Sequence, residues 1–219
     1  PGRNVGLMFG LESSLHPFIG HPSYKEISHF PLEERLTIMR DPAFKQKILN
    51  ESPSFREDLQ KAAKEQKSNK SKEEIKAEAE MGKKLISNYE TQFILSDPPN
   101  YEPTREDSIA YLAEQRNQTE EEVIYDELIK DDGKSLIYAC FTPYENHKLK
   151  FVETFYKLKS SVAGGSDGGA HCGLICDASM PTTNLSHWAR DRSAGNKIPL
   201  ELIIRKQTKD TAETYGLFD

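Results

Sequence analysis

A strand-helix-strand alternation that runs into a glycine-rich segment restricts the fold of this chain more than any other feature. Residues 135–141 and 161–163 are short apolar runs typical of strands, and residues 145–158 between them have the apolar spacing of a helix. The buried side of this predicted helix consists of Leu149, Val152, Phe155 and Tyr156. The order predicts an α/β fold with a parallel sheet, in which sites lie at the carboxyl ends of strands.

The first half of the chain is mostly helical by the same criteria. Residues 4–11 are apolar and predict a buried parallel strand, and residues 31–89 predict helices, with Asp41 in the position of an N-cap. Residues 54–84 are rich in lysine and glutamate, which indicates a solvated helical hairpin or a face that binds a partner. Residues 97–103 contain three prolines and cannot continue a helix, so they form the clearest internal boundary.

Further elements follow this boundary. Helices are predicted from Thr104 and from Thr119, where Thr119 and Glu122 have the spacing of a capping box. Residues 199–206 predict an amphipathic helix whose apolar side covers the sheet, and Trp188 is predicted to be a buried packing anchor.

Composition excludes several classes of partner. The formal net charge is −6 and the sequence has no basic stripe, which argues against nucleic-acid binding. No apolar run approaches the roughly 20 residues that span a bilayer, so no membrane segment is predicted. Three cysteines in 219 residues indicate free thiols and a reducing cytoplasm. Cys172 and Cys176 have a spacing seen in zinc sites, but no second pair accompanies them.

The glycine-rich residues 164–171 read GGSDGGAH, and three interpretations are open. The loop could cradle a phosphate, although the spacings of nucleotide-binding loops are absent. Asp167 could cap a turn, with His171 an ordinary surface histidine. Alternatively, Asp167 is a catalytic carboxylate, brought close to a ligand by glycines that allow tight turns.

Several segments together resemble one family. Residues 166–173 (SDGGAHCG), 175–179 (ICDAS) and 186–192 (SHWARDR) resemble the N-acyl-D-amino-acid deacylase (D-aminoacylase) family of the amidohydrolase superfamily. Residues 5–15 and 207–217 also fit this family, so the resemblance covers nearly the whole chain.

The resemblance implies a TIM-like (β/α)8 barrel with a zinc site. The family's zinc ligands are a His-x-His pair on the first strand, residues on middle strands and an aspartate after the last strand. In this sequence only Asp167 matches that set. Since such a barrel takes about 250 residues, we expect a fragment that holds the last strands of a partial barrel and a large helical insertion. The expected divisions are residues 1–14, 15–133 and 134–219.

In this reading Asp167 is both the catalytic acid-base group and a metal ligand. A zinc ion polarises the amide carbonyl and activates water, and the carboxylate moves a proton from that water to the leaving amine. The expected function is hydrolysis of N-acyl-D-amino acids by the full-length protein, while the fragment alone is expected to be inactive. The alternatives are an amidohydrolase acting on cyclic amides and a catalytically inert helical interaction module.

Substrate-binding candidates follow Asp167 in the sequence. They are His171, Arg190 and Arg192, since an arginine can bind a substrate carboxylate bidentately. Structural ion pairs with Asp177 or Asp191 are the equal alternative. His16 and His21 either line the same site or close turns beside prolines. The expected partners are a small N-acyl amino acid and, over exposed apolar faces, a second copy or the remaining part of the barrel.

Overall fold

The structure is a computed structural model, and it describes residues 2, 5–54, 71–142, 144–169, 172–175 and 177–218. The strands are β1 (Val5–Phe9), β2 (Gln92–Ile94) and β3 (Ile137–Thr142). The helices of the first half are α1 (Pro22–Ile27), α2 (Leu32–Met39), α3 (Pro42–Leu49), α4 (Lys72–Ile86), α5 (Ile109–Arg116) and α6 (Glu120–Leu128). Those of the second half are α7 (Lys150–Lys157), α8 (Met180–Thr183), a π-helix (Asn184–Asp191), α9 (Leu200–Gln207) and α10 (Lys209–Thr214).

The protein is a mixed α/β structure in which helices predominate and the strands form one small sheet. The strand order is β1-β3-β2. Strands β2 and β3 are antiparallel, and Phe93 lies opposite Tyr138 in the register. Strand β2 was not predicted from the sequence, so the pairing of β3 with an antiparallel neighbour lies outside the parallel alternation that the sequence predicts.

Residues 161–163, which were predicted as the last strand, belong to no strand of the described structure. Their backbone binds helix α9 instead. Ala163 N donates to the Lys206 carbonyl at 3.4 Å, and Lys206 Nζ donates to the carbonyls of Leu158 and Ser161 at 2.7 and 2.5 Å. The predicted strand is wrong because a lysine side chain and a helix end, rather than a sheet edge, satisfy these backbone groups.

The chain divides into two compact units. Unit 1 comprises Pro1–Leu7, Ser96–Arg105 and Cys140–Asp219, and unit 2 comprises Met8–Leu95 and Glu106–Ala139. Most of the predicted helical insertion lies in unit 2. The proline-rich residues 97–103 belong to unit 1, although the chain on either side of them belongs to unit 2.

Unit 2 is organised by helix caps and a core of large side chains. Asp41 caps α3 by accepting from Ala43 N at 2.9 Å, and Thr119 and Glu122 form the capping box of α6, which confirms both predictions. The most deeply buried large side chains are Phe9, Phe18, Met39, Ile48, Ile109, Ile124, Tyr125, Leu128, Ile137 and Tyr138. Tyr125 Oη donates to the Met39 carbonyl at 2.7 Å, so the buried hydroxyl of this tyrosine has a hydrogen-bond partner.

The core of unit 1 centres on Trp188, which is fully buried as predicted. Leu149, Val152 and Tyr156 are also buried, as the spacing of α7 predicts. The prediction for Phe155 is wrong, because it is 43% exposed and stacks against Phe151 at a ring-centroid distance of 4.2 Å. Among the described residues, no helix is both long and apolar enough to cross a membrane.

Candidate functional site

The glycine-rich segment of unit 1 places Asp167 on an exposed turn. Asp167 has a φ of 52°, in the left-handed region that aspartate tolerates better than most residues, and Gly169 follows at 92°. Within the described part of the chain, the Asp167 carboxylate forms no hydrogen bond and no ion pair. An acid in this position is accessible to a ligand that approaches from outside.

The segment is anchored after this turn. Ile175 forms an isolated antiparallel bridge with Leu7, and Asp177 is buried at the start of the turn that leads into α8. Cys172 is an exposed free thiol. His171, one of the predicted substrate-binding residues, lies outside the described residues, as does Cys176.

A wide helical turn follows. The π-helix Asn184–Asp191 is closed by a hydrogen bond of 2.8 Å from Arg192 N to the His187 carbonyl, five residues earlier. Such turns are rare and frequently occur at functional sites. Here the wide turn carries His187 and Trp188, and Arg192 follows it directly. All three side chains take part in one cluster around a buried ion pair.

Glu102 is the centre of this charged cluster. Its Oε1 accepts from Arg192 Nη2 at 2.8 Å, and its Oε2 accepts from Arg192 Nε and from His187 Nε2, both at 3.0 Å. Glu102 and Arg192 are 8% and 5% exposed, so this is a bidentate ion pair within the interior. Because an ionised carboxylate only accepts hydrogen bonds, His187 carries a proton on Nε2.

Arg192 makes further contacts besides those to Glu102. Its Nη1 donates to the Asn196 carbonyl at 2.6 Å and lies 3.6 Å from Glu153 Oε2. The guanidinium carbon lies 4.3 Å from the centre of the Trp188 ring, within the range of a cation-π interaction. Trp188 Nε1 in turn donates to the Gly2 carbonyl.

The environment of Glu102 determines its charge. Burial by itself raises the pKa of this carboxyl, but the hydrogen bonds from His187 and Arg192 and the positive charge of Arg192 outweigh burial and lower the pKa to about 2. Glu102 is therefore ionised at neutral pH. Since its oxygens face internal donors, the cluster is built to hold unit 1 together rather than to exchange protons with a ligand.

The two arginines predicted to bind substrate have different positions. Arg190 is exposed, and its Nε and Nη2 bind the two carboxylate oxygens of Asp191 at 2.7 and 2.8 Å. Arg192 is buried and binds Glu102. Each arginine thus already holds a protein carboxylate in the bidentate manner that was predicted for a substrate.

His16 and His21 both lie in unit 2. His16 is 1% exposed, and its ring meets Tyr24 edge to face with a centroid distance of 4.4 Å. Burial, followed by the charge of nearby Arg35 and the neighbouring His21, lowers the pKa of His16 to about 3, so this ring is neutral. His21 is 8% exposed and lines a groove in the same unit.

The described residues do not form a complete zinc site. No group of three or more histidine, cysteine, aspartate or glutamate side chains among them could hold a metal ion. Structural and catalytic zinc sites require three or four such ligands. Asp167 alone supplies a single exposed carboxylate.

The residue that sequence reasoning missed is Glu102. It lies in the proline-rich stretch predicted only as a boundary, and its partner Arg192 follows 90 residues later. No local spacing connects the two residues. Glu102 immediately precedes Pro103, and this local sequence predicts only a boundary between helices.

Comparisons of the chain with protein-family models, with curated proteins and with solved structures found no match.

Proposed function

We propose that this chain contributes Asp167 as the catalytic carboxylate of a metal-dependent amidohydrolase that acts on N-acyl-D-amino acids. The observation that supports this most directly is the exposed Asp167 carboxylate, which has no internal partner among the described residues. The resemblance of residues 166–173, 175–179 and 186–192 to the deacylase family indicates the reaction class.

The proposed chemistry requires one carboxylate in two roles. Asp167 accepts a proton from water while the water oxygen forms a bond to the amide carbon. The carbon-nitrogen bond then breaks as Asp167 returns that proton to the nitrogen. The products are a carboxylic acid and a free amino acid. An exposed carboxylate suits this cycle because it gains and loses a proton without breaking an internal ion pair.

The zinc part of the proposal rests on the resemblance alone, because the described residues supply only Asp167 toward such a site. A direct check is the metal content of the purified protein that carries this sequence. We expect about one zinc per chain, and zinc should decrease in the Asp167→Asn variant if this aspartate is a ligand.

For the substrate carboxylate we propose Arg190 as the primary anchor, with His171, which follows Asp167 by four positions in the sequence, as a second contact. Arg190 is exposed, and among the described residues its side chain binds only Asp191, its neighbour in the sequence, so a substrate carboxylate could replace that partner. Arg192 would contribute by holding the π-helix that carries Arg190, through its buried pair with Glu102.

The test is hydrolysis of an N-acetyl-D-amino acid, measured as release of the free amine. The change is Asp167→Asn, which keeps the size and the left-handed backbone preference of aspartate but cannot accept a proton in the same way. We expect kcat to fall by about 10²- to 10⁴-fold, the usual contribution of a general acid-base group.

The matched control is Glu201→Gln, which neutralises an exposed acid elsewhere in unit 1 and should keep full activity. Unchanged turnover in Asp167→Asn would remove Asp167 from the mechanism.

A hydantoin assayed in parallel tests whether the protein hydrolyses cyclic amides. Turnover of the hydantoin without turnover of the N-acetyl amino acid would transfer the proposal to that class.

A further inference from the structure

A groove of about 510 Å³ lies in unit 2 beside His21. Its volume is within the range of roughly 300–1,000 Å³ that is typical of small-molecule sites. Phe18, Leu49 and Ile86 contribute apolar surface to the groove, and other lining residues are polar or charged. The groove belongs to unit 2, whereas the proposed amide hydrolysis rests on residues of unit 1.

The charge of the groove has one predominant sign. Among the described residues that line it, Glu51, Glu121 and Glu122 are acidic, whereas Lys83 is the only lysine or arginine. Such a concentration of negative charge beside apolar surface attracts cations and disfavours anions. Acidic side chains alone do not make a site, however, since each could simply face water.

The acidic groups are held in place by hydrogen bonds. Glu51 accepts from Ser23 N at 2.9 Å, and Glu121 accepts from Tyr89 Oη at 2.6 Å. Glu122 accepts from Thr119 N at 2.8 Å as part of the capping box of α6. A carboxylate oxygen can accept more than one hydrogen bond, so these contacts fix the side chains without exhausting them.

His21 is the second, independent observation. Its side chain lines the groove, the residue is only 8% exposed, and Nδ1 is buried without a hydrogen-bond partner among the described residues. Buried polar atoms are nearly always paired in folded proteins, so such an atom beside a cavity indicates a place for a ligand group. Burial lowers the pKa of His21, and the charge of Glu51, a hydrogen bond with the Phe18 backbone and the charge of Glu121 offset this only in part, so the ring is neutral near pH 7.

We propose that this groove binds a small organic cation, namely a primary amine on an apolar body. The ammonium group lies among Glu51, Glu121 and the imidazole of His21, while the apolar body packs on Phe18, Leu49 and Ile86. The apolar surface of the groove distinguishes such a ligand from a simple metal cation.

The test uses phenethylamine as the probe, with phenylacetate and phenethyl alcohol as probes of similar shape and different charge. Binding is measured by ligand-observed NMR and by calorimetry at low and high salt. We expect saturable binding of phenethylamine that weakens with salt, and no saturable binding of phenylacetate. Absence of saturable phenethylamine binding, or equal binding of all three compounds, would overturn the proposal.

Two double variants locate the site. Glu51→Gln with Glu121→Gln removes two charges from the groove, and Glu33→Gln with Glu34→Gln removes two charges from exposed positions on α2 in the same unit. We expect the first pair to weaken phenethylamine binding by about five- to tenfold, because the ammonium group then loses two of its negatively charged neighbours. The second pair should bind as the parent does. Equal affinity in both double variants, with both folded by circular dichroism, would show that the amine binds elsewhere.

Discussion

Asp167 and Glu102 are two acids of unit 1 with opposite environments. Asp167 lies on an exposed glycine-rich turn, and its carboxylate has no partner among the described residues. Glu102 is 8% exposed and receives hydrogen bonds from Arg192 and His187. An exposed carboxylate without an internal partner can exchange protons with a ligand. A buried carboxylate that is paired with internal donors stabilises the fold instead. We therefore expect neutralisation of Glu102 to lower the stability of the protein, and neutralisation of Asp167 to leave the stability almost unchanged.

The largest expected effect on stability is that of Glu102→Ala. Removing this carboxylate leaves the Arg192 guanidinium buried with one distant acid, Glu153, at 3.6 Å. Breaking one partner of a buried ion pair typically costs about 3–5 kcal/mol. The free energy of unfolding can be followed by the fluorescence of Trp188, which is the only tryptophan in the sequence and belongs to unit 1.

The control for that measurement is the pair Glu102→Ala with Arg192→Met. Removing both charges should recover part of the lost stability, because no buried charge then stays unpaired. A Glu102→Ala protein as stable as the parent would mean that this cluster contributes nothing to the fold. Glu102 and Asp167 would then not differ in their contribution to stability.

A smaller effect is expected from acid, which neutralises Glu102 without mutation. The pKa of Glu102 in the folded protein is lowered from 4.5 to about 2, so its contribution is fully present above pH 4.5 and is lost as the pH falls through about 2. Over this interval the parent should lose stability faster than Glu102→Gln, which has no carboxylate to protonate. The difference between the two unfolding free energies should therefore narrow toward pH 2, and a difference independent of pH would contradict the prediction.

The two acids also differ in how far the sequence could predict them. Asp167 was proposed as a candidate because its neighbours in the sequence resemble motifs of one family. The caps at Asp41 and Thr119 were predicted correctly, because a cap depends on residues within three positions. The pairing of Glu102 with Arg192 joins residues 90 positions apart, so only the folded chain brings them together.

Two errors have the same origin. Residues 161–163 have the apolar composition of a strand, but strand formation depends on a neighbouring strand, and in the described structure this backbone binds Lys206 instead. Phe155 lies on the apolar side of α7 by spacing, but spacing does not show how wide a strip of the helix is covered. Local sequence patterns predict helices and their caps. Contacts between distant parts of the chain determine which segments pair as strands and which side chains are buried.

The smallest expected effect on stability is that of Asp167→Asn, and it tests the comparison most sharply. Asparagine adopts the left-handed backbone at φ 52° about as readily as aspartate, so the turn should persist. The carboxylate has no internal partner among the described residues, so the unfolding free energy reported by Trp188 should change by less than about 0.5 kcal/mol. A loss above about 1 kcal/mol would show that Asp167 holds the structure together as Glu102 does. Its exposure would then no longer support a role in proton transfer, even if activity also fell.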